Sequence, residues 1–393
     1  EIQRGRTTSS TAIVVPFMTR ELRMDGPSLY YGMNALSHNV IMADRKKLKS
    51  ANGLYLGSTG SGKSFAAKRE LLNVFLAIPQ DRIIVVDPMG EYAPLVERLG
   101  GQVIEIAPDS PNHISPMDVQ MDMGGGDSPL SLKADFLLSL CELVVGGRDG
   151  LQPIEKTVID RCVRQVYREM ALGLETAKTP LLQDLYEELL RQPESQAQSI
   201  ALALELFVDG TLDVFAYQSN VDMSNRIMLF DIFDLGSQLK TVGMLVMLDA
   251  ILNRVIENHK RGRRTWIYID EIYLFFANEY SSNFLEESWK RFRKKNAAAT
   301  GITQNVTDCL RSPTAKNMLA NSEFLLMLSQ APTDQQELVK MLRISEEQLS
   351  YISNAEPGHG LIKVGGAKVP FINQFPRNTA LYRLMTTKPG ESL

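Results

Sequence analysis

Leu54-Tyr55-Leu56-Gly57-Ser58-Thr59-Gly60-Ser61-Gly62-Lys63-Ser64-Phe65 reads as a short apolar strand, a glycine-rich turn and the opening of a helix. Residues 57–64 fit GxxxxGK[ST] in full, with the strand before and the helix after that give the motif its meaning. Glycines let the backbone curl until its N–H groups converge on phosphate oxygens, and the positive end of the following helix adds to the attraction. Lys63 is placed to reach the β- and γ-phosphates of ATP. The Ser64 hydroxyl is placed to meet Mg²⁺, whose octahedral shell is otherwise filled largely by water and phosphate oxygens. The expected nucleotide-binding set is Gly57, Ser58, Thr59, Gly60, Ser61, Gly62, Lys63, Ser64 and Phe65.

Outward from this run, apolar stretches alternate with helical ones. Ile83-Ile84-Val85-Val86-Asp87 and Val103-Ile104-Glu105-Ile106 follow as strands, with a helix over residues 92–99 between them. Strands return over residues 226–231, 266–270, 298–303 and 324–328, separated by helices over 241–259 and 283–295, and Gly365-Gly366 marks a closing hairpin. Such alternation predicts an α/β fold with a mainly parallel sheet covered on both faces. Gly124-Gly125-Gly126-Asp127-Ser128-Pro129 reads as a linker into a stretch of helical periodicity without strands, in which Pro153, Pro180 and Pro193 are placed to open helices. The expected organisation is a leading strand and linker region over 1–50, a core over 51–127, an all-helical insertion over 128–215, and the rest of the core with a hairpin and tail over 216–393.

Two strand ends carry carboxylates. Asp270-Glu271 is the better candidate for the hydrolytic half, because only there does an acidic pair close a buried run. Asp270 would hold the Mg²⁺ shell, and Glu271 would orient or deprotonate the attacking water. Asp87 and Glu91 either line the same site or, for Asp87, cap the next turn. Gln304, at the end of the 298–303 strand, is placed to hydrogen-bond water or the γ-phosphate. Arg293 is the candidate for a charge-stabilising arginine, although cations at a helix C-terminus also suit the macrodipole.

With 393 residues, 44% of them hydrophobic, the chain can bury a large core. No run approaches the roughly 18 apolar residues of a membrane span. Cys141, Cys162 and Cys309 are too few for a disulfide framework, four histidines lack metal-ligand spacing, and a reducing cytoplasm is expected. The chain starts at Glu1 without the three-part pattern of a secretory signal, which reads as the boundary of a piece. A net charge of -4 argues against nucleic acid held across most of the surface. Local basic runs occur at residues 45–49, 260–264 and 290–295, and the first two read as solvated turns.

The P-loop, Asp87-Pro88-Met89-Gly90-Glu91-Tyr92, residues 266–273, residues 300–305 and Pro357-Gly358-His359-Gly360 together resemble the ATPases of type IV secretion and conjugation systems. The likeness is to the fourth VirB component, within the wider class of FtsK- and HerA-like DNA translocases. It spans nearly the whole chain. It implies a RecA-like core with a helical insertion and ATP hydrolysis that powers assembly of, or transfer through, a secretion channel. It also implies a homo-hexamer when active, channel subunits and coupling ATPases as partners, possible DNA, and an indirect place at the inner face of the cell membrane. A double-strand DNA translocase and a nucleotide-gated platform with little turnover are the competing readings. Glu271 weighs against the platform, which needs no water-activating carboxylate.

Overall fold

The protein's structure is a computed structural model describing residues 21–121, 128–145, 150–174, 176–304, 306–388 and 390–391. Residues 124–127 of the expected linker, and Asn305, lie outside the described residues. Seven strands run parallel: β3 (Gly53–Leu56), β4 (Arg82–Asp87), β5 (Gln102–Glu105), β6 (Ile227–Asp231), β7 (Thr265–Ile269), β8 (Ala298–Thr303) and β9 (Phe324–Met327). Their order is β9-β3-β8-β7-β4-β6-β5. Beyond β9 the sheet continues antiparallel through the hairpin β10 (His359–Val364) and β11 (Ala367–Ile372) to β1 (Leu29–Asn34) and β2 (Val40–Ala43). The protein is thus an α/β fold built on a mostly parallel sheet.

The parallel strands are continuous apolar runs because both of their faces are covered. In β4, Ile84 and Val86 join one core, and Ile83 and Val85 join the other. The second core is closed by α1 (Lys63–Ala77) and α2 (Ala93–Arg98), through residues such as Leu71, Val74, Leu95 and Val96. Between β5 and β6 come α3 (Pro129–Val145), α4 (Pro153–Val166), α5 (Leu182–Leu190) and α6 (Ser195–Val208). These four helices share the first core with α7 (Gly236–Lys260) and α8 (Glu279–Lys294), through Phe136, Ile159, Leu185, Ile200, Leu245 and Leu285. Pro153 opens α4 as expected, whereas Pro180 and Pro193 lie just before α5 and α6 and outside them. The entry to α5 is held instead by the Asp184 carboxylate, which accepts from Leu181 N at 2.6 Å. α9 (Pro313–Asn321), α10 (Pro332–Leu342) and, after the hairpin, α11 (Ala380–Met385) complete the chain.

Arg45 corrects the reading of residues 45–49 as a solvated turn. It is 1% exposed. Its guanidinium donates to both Glu70 oxygens at 3.1 Å, to Thr300 Oγ1 at 2.8 Å, to Ala51 O at 2.8 Å and to Ala299 O at 3.1 Å. Its Cζ lies 4.5 Å from the centre of the Phe324 ring. Glu70 sits on the buried side of α1, so this ion pair ties the chain before the P-loop to the helix that follows it. The 260–264 run is a turn in which Arg261 pairs with Glu257 at 2.5 Å and the partly buried Arg264 donates to Asn296. Removing one partner of a buried pair leaves an uncompensated charge and costs about 3–5 kcal/mol. Arg45→Met is therefore expected to lower the melting temperature by several degrees, and adding Glu70→Met should restore only part of the loss, because Glu70 also accepts from the buried Tyr31 hydroxyl. Calorimetry of the single and double variants checks this, and equal melting of Arg45→Met and parent would refute it.

Candidate nucleotide site

The C-terminal ends of the parallel strands lie along one sheet edge, and the chain turns there from β3 into the glycine loop. A Cβ on Gly57 would lie 2.5 Å from Ser61 Oγ and 3.0 Å from Leu328 Cβ, so only glycine fits there. Gly60 (φ 76°) and Gly62 (φ 97°) adopt left-handed backbone, which wraps the loop around the start of α1. Ser58 N donates to Ser329 O at 2.7 Å, which anchors the loop to the end of β9. Lys63 folds its Nζ back onto Ser58 O at 3.0 Å.

Facing the loop, Asp270 follows β7 and donates its backbone N–H to Val86 O at 3.1 Å. Its carboxylate accepts from Glu271 N at 2.9 Å. Burial, then the charges of Glu271 and Asp87, push the Asp270 carboxyl up to about 8. Glu271 has left-handed backbone (φ 49°, ψ 43°), uncommon for a residue with a side chain and a local strain of a kind that clusters at functional sites. That turn carries its carboxylate into the cleft, where Oε1 accepts from Gln304 Nε2 at 2.8 Å and Oε2 is buried without a partner. Gln304 Oε1 in turn accepts from Thr59 Oγ1 at 2.6 Å. Thr59, Gln304 and Glu271 thus form one hydrogen-bonded chain from the loop to the acid. Burial raises the Glu271 carboxyl above its usual range, against the opposing charge of Lys63. Burial lowers Lys63, against Asp270, Glu271 and Glu91.

Asp87 does not line the cleft. It accepts from Met89 N at 3.0 Å and Tyr92 N at 2.8 Å, and so caps the Pro88–Gly90 bend; burial pushes its carboxyl up to about 6. The bend, with Gly90 at φ 69°, delivers Glu91 to the cleft, with its Oε2 buried and unpartnered. Arg293 stands apart from these residues. It is exposed, at the end of α8 and before β8 begins, whereas Gln304 follows the end of β8. Roughly 20 Å of strand separates the two ends. Arg293 is therefore at the opposite sheet edge from its own chain's glycine loop, contrary to the placement expected from its neighbourhood in sequence.

The cleft has a volume of about 830 Å³. Lys63, Ser64, Phe65, Glu91, Asp270, Glu271 and Gln304 are among the residues that line one part of it, and a wall from residues 356–388 lines another. The sequence reading missed that wall beyond Gly358, because no motif marks it and only the β10–β11 hairpin brings it beside the loop. The acids suit a divalent cation, since Asp270, Glu91 and Glu271 bring carboxyl oxygens, two of them buried and unpartnered, to the cleft that Ser64 also lines, and a cation bound there would favour their ionised forms. No three His, Cys, Asp or Glu side chains converge as a metal cage among the described residues. Mg²⁺ shared with phosphate needs none.

The Asp270 carboxyl makes a pH-dependent test. A carboxyl raised in the folded state above its unfolded value, about 3.9, contributes stability that is fully present below that value. The stability is lost as pH rises toward 8. Asp270→Asn, which keeps the hydrogen bond from Glu271 N, is expected to melt above the parent at pH 8.5 without nucleotide or Mg²⁺, by a margin that shrinks at pH 5.5. A margin independent of pH would show that Asp270 is not held protonated.

A glycine loop cradled between β3 and α1, faced by an acid pair and a glutamine from neighbouring parallel strands, defines a P-loop ATPase. The TraG P-loop domain family matches residues 37–357, and the chain belongs to that family. Among solved structures, VirB4 of Thermoanaerobacter pseudethanolicus is similar at 24% identity over 91% of this chain and 99% of that one, with a TM-score of 0.80. The bacterial conjugative coupling protein TrwBdeltaN70 is similar at 16% identity over 90% of each chain, with a TM-score of 0.59. Plasmid coupling protein TrwB in complex with ADP and Mg²⁺ is similar at 16% identity over 91% of this chain and 92% of that one, with a TM-score of 0.57. No curated protein matches by sequence. Among the described residues no helix is long and apolar enough to cross a membrane.

Proposed function

We propose that this chain hydrolyses ATP to power assembly of, or transfer through, a type IV secretion or conjugation channel. The observation that carries the hydrolytic part is the convergence of Lys63, Asp270, Glu271 and Gln304 on one cleft at the start of α1. In this reading the loop N–H groups of residues 57–65 and the Lys63 ammonium hold the phosphates. Ser64 and Asp270 hold Mg²⁺, which when bound neutralises phosphate charge. Glu271 takes a proton from the attacking water through the unpartnered Oε2, and Gln304, fixed by Thr59, holds that carboxylate in place. The secretion part is supported by the family and by the fold shared with VirB4 and TrwB. A homo-hexamer at the inner face of the membrane, docked to channel subunits and a coupling ATPase, completes the proposal. Within it Arg293 acts, if on any phosphate, on that of a neighbouring subunit.

The test is ATP turnover of the purified chain, with and without duplex DNA, together with co-purification with channel subunits. Turnover indifferent to DNA, with stable binding to a channel subunit, is the expected result. Turnover strongly stimulated by DNA and steeply reduced by salt would favour a DNA translocase instead.

A further inference from the structure

The cleft continues past the phosphate cradle, and its far wall is the end of the chain. After β11, Asn373 N donates to Gly358 O at 2.7 Å, which carries residues 373–377 past the first turn of α1. The segment is anchored. Leu384 and Met385 of α11 are buried in the same core as α1, and Tyr382 N donates to Thr379 Oγ1 at 3.2 Å. Tyr382 also donates its hydroxyl to Glu391 at 2.7 Å. The Phe65 ring, next to Ser64, lies 6.0 Å from Phe375, edge on, and 5.5 Å from Tyr382. Arg69, one turn further along α1, sets its guanidinium 5.1 Å from the centre of the Phe375 ring. Arg377 is exposed and lines the cleft.

The direction of a bound polyphosphate follows from the site. Glu271 acts on water only where the terminal phosphate sits, so the phosphates run from there past Lys63 and Ser64 toward Phe65. Whatever is esterified to the innermost phosphate therefore meets Phe375, Arg377 and Tyr382. Two aromatic rings and a guanidinium are planar partners for a heteroaromatic base. We propose that Phe375, Arg377 and Tyr382 form the nucleoside subsite of this ATPase, recognising the base by stacking. This rests on the cleft being a nucleoside triphosphate site, and the three residues lie beyond residues 37–357 of the family match.

The test compares Mg·ATP with Mg·tripolyphosphate, which carries the phosphates without the nucleoside, on the whole chain and on Arg377→Ala and Phe375→Ala. The parent is expected to bind ATP at least about 10-fold more tightly, and each variant to lose roughly 10-fold for ATP, a size typical of removing a base-stacking side chain. Tripolyphosphate affinity should not change. Arg377 is exposed, so its variant carries the test even if Phe375→Ala melts early. Unchanged ATP affinity in Arg377→Ala, or equal losses for both ligands, overturns the subsite, as does a parent that binds the two equally. A parent that binds neither ligand overturns the nucleotide reading itself, and the subsite falls with it.

Discussion

Lys63→Ala is expected to reduce ATP turnover at least about 100-fold while leaving the core folded. The ammonium is the one side-chain cation that the P-loop itself brings to the phosphates, in a cradle whose other donors are backbone N–H groups. Its Nζ donates to Ser58 O at 3.0 Å, a bond that holds it at the loop. Truncation therefore takes away the charge that attracts the β- and γ-phosphates. It also removes the cation that opposes burial at Glu271. The fold should survive, because Gly57, Gly60 and Gly62 shape the loop and the Ser58–Ser329 hydrogen bond pins it independently of the lysine. Steady-state turnover and ATP affinity, with a melting curve beside them, are the measurements. Parental turnover in a well-folded variant would end the assignment of the cleft.

Much of this architecture is legible in the sequence, for a physical reason. Strands buried on both faces must be apolar at successive positions, so β4 and β7 stand out as Ile83-Ile84-Val85-Val86 and Trp266-Ile267-Tyr268-Ile269. The acids that follow them mark the sheet edge where a loop can receive phosphate. Local chemistry of this kind survives translation into sequence; long-range pairing does not. Arg45 looked like one charge in a basic turn because its partners, Glu70 and Thr300, are distant in the chain and meet it only in the folded core. Arg293 failed for the converse reason. It precedes the strand that ends near Gln304, but a strand crosses the whole sheet, so neighbours in sequence arrive at opposite edges. The aromatic wall at Phe375 and Tyr382 carries no motif at all, and its role depends on a hairpin that returns the chain to the P-loop helix. Asp87 and Glu91 divide the work that the sequence left open, the first shaping the bend and the second reaching the cleft.

Glu271→Gln is expected to keep ATP affinity within a few-fold of the parent and to lower kcat by about 10²–10³, within the range that general-base catalysis supplies. Three features of the site make the substitution selective. The left-handed turn at Glu271 is a backbone feature that a glutamine of the same length can adopt, so the side chain still projects into the cleft. Gln304 is oriented by Thr59 Oγ1, which donates to its Oε1 and leaves Nε2 pointing at residue 271. A glutamine there satisfies that donor with its own carbonyl oxygen. Its amide nitrogen is then forced into the place of Oε2, the buried carboxylate oxygen without a partner. An acceptor aimed at the water becomes a donor, and the proton released during attack has nowhere to go. Phosphate binding depends on the loop and Lys63 and loses little. Removing the carboxylate charge also relieves the crowding of Asp270, whose carboxyl is held high partly by Glu271, so binding of the nucleotide itself is not weakened through that route. Single-turnover hydrolysis with a separate binding titration distinguishes the steps. Should the variant bind ATP and hydrolyse it at the parental rate, the water is activated by another group, and Glu91, which also brings a buried oxygen without a partner to the cleft, is the residue to substitute next.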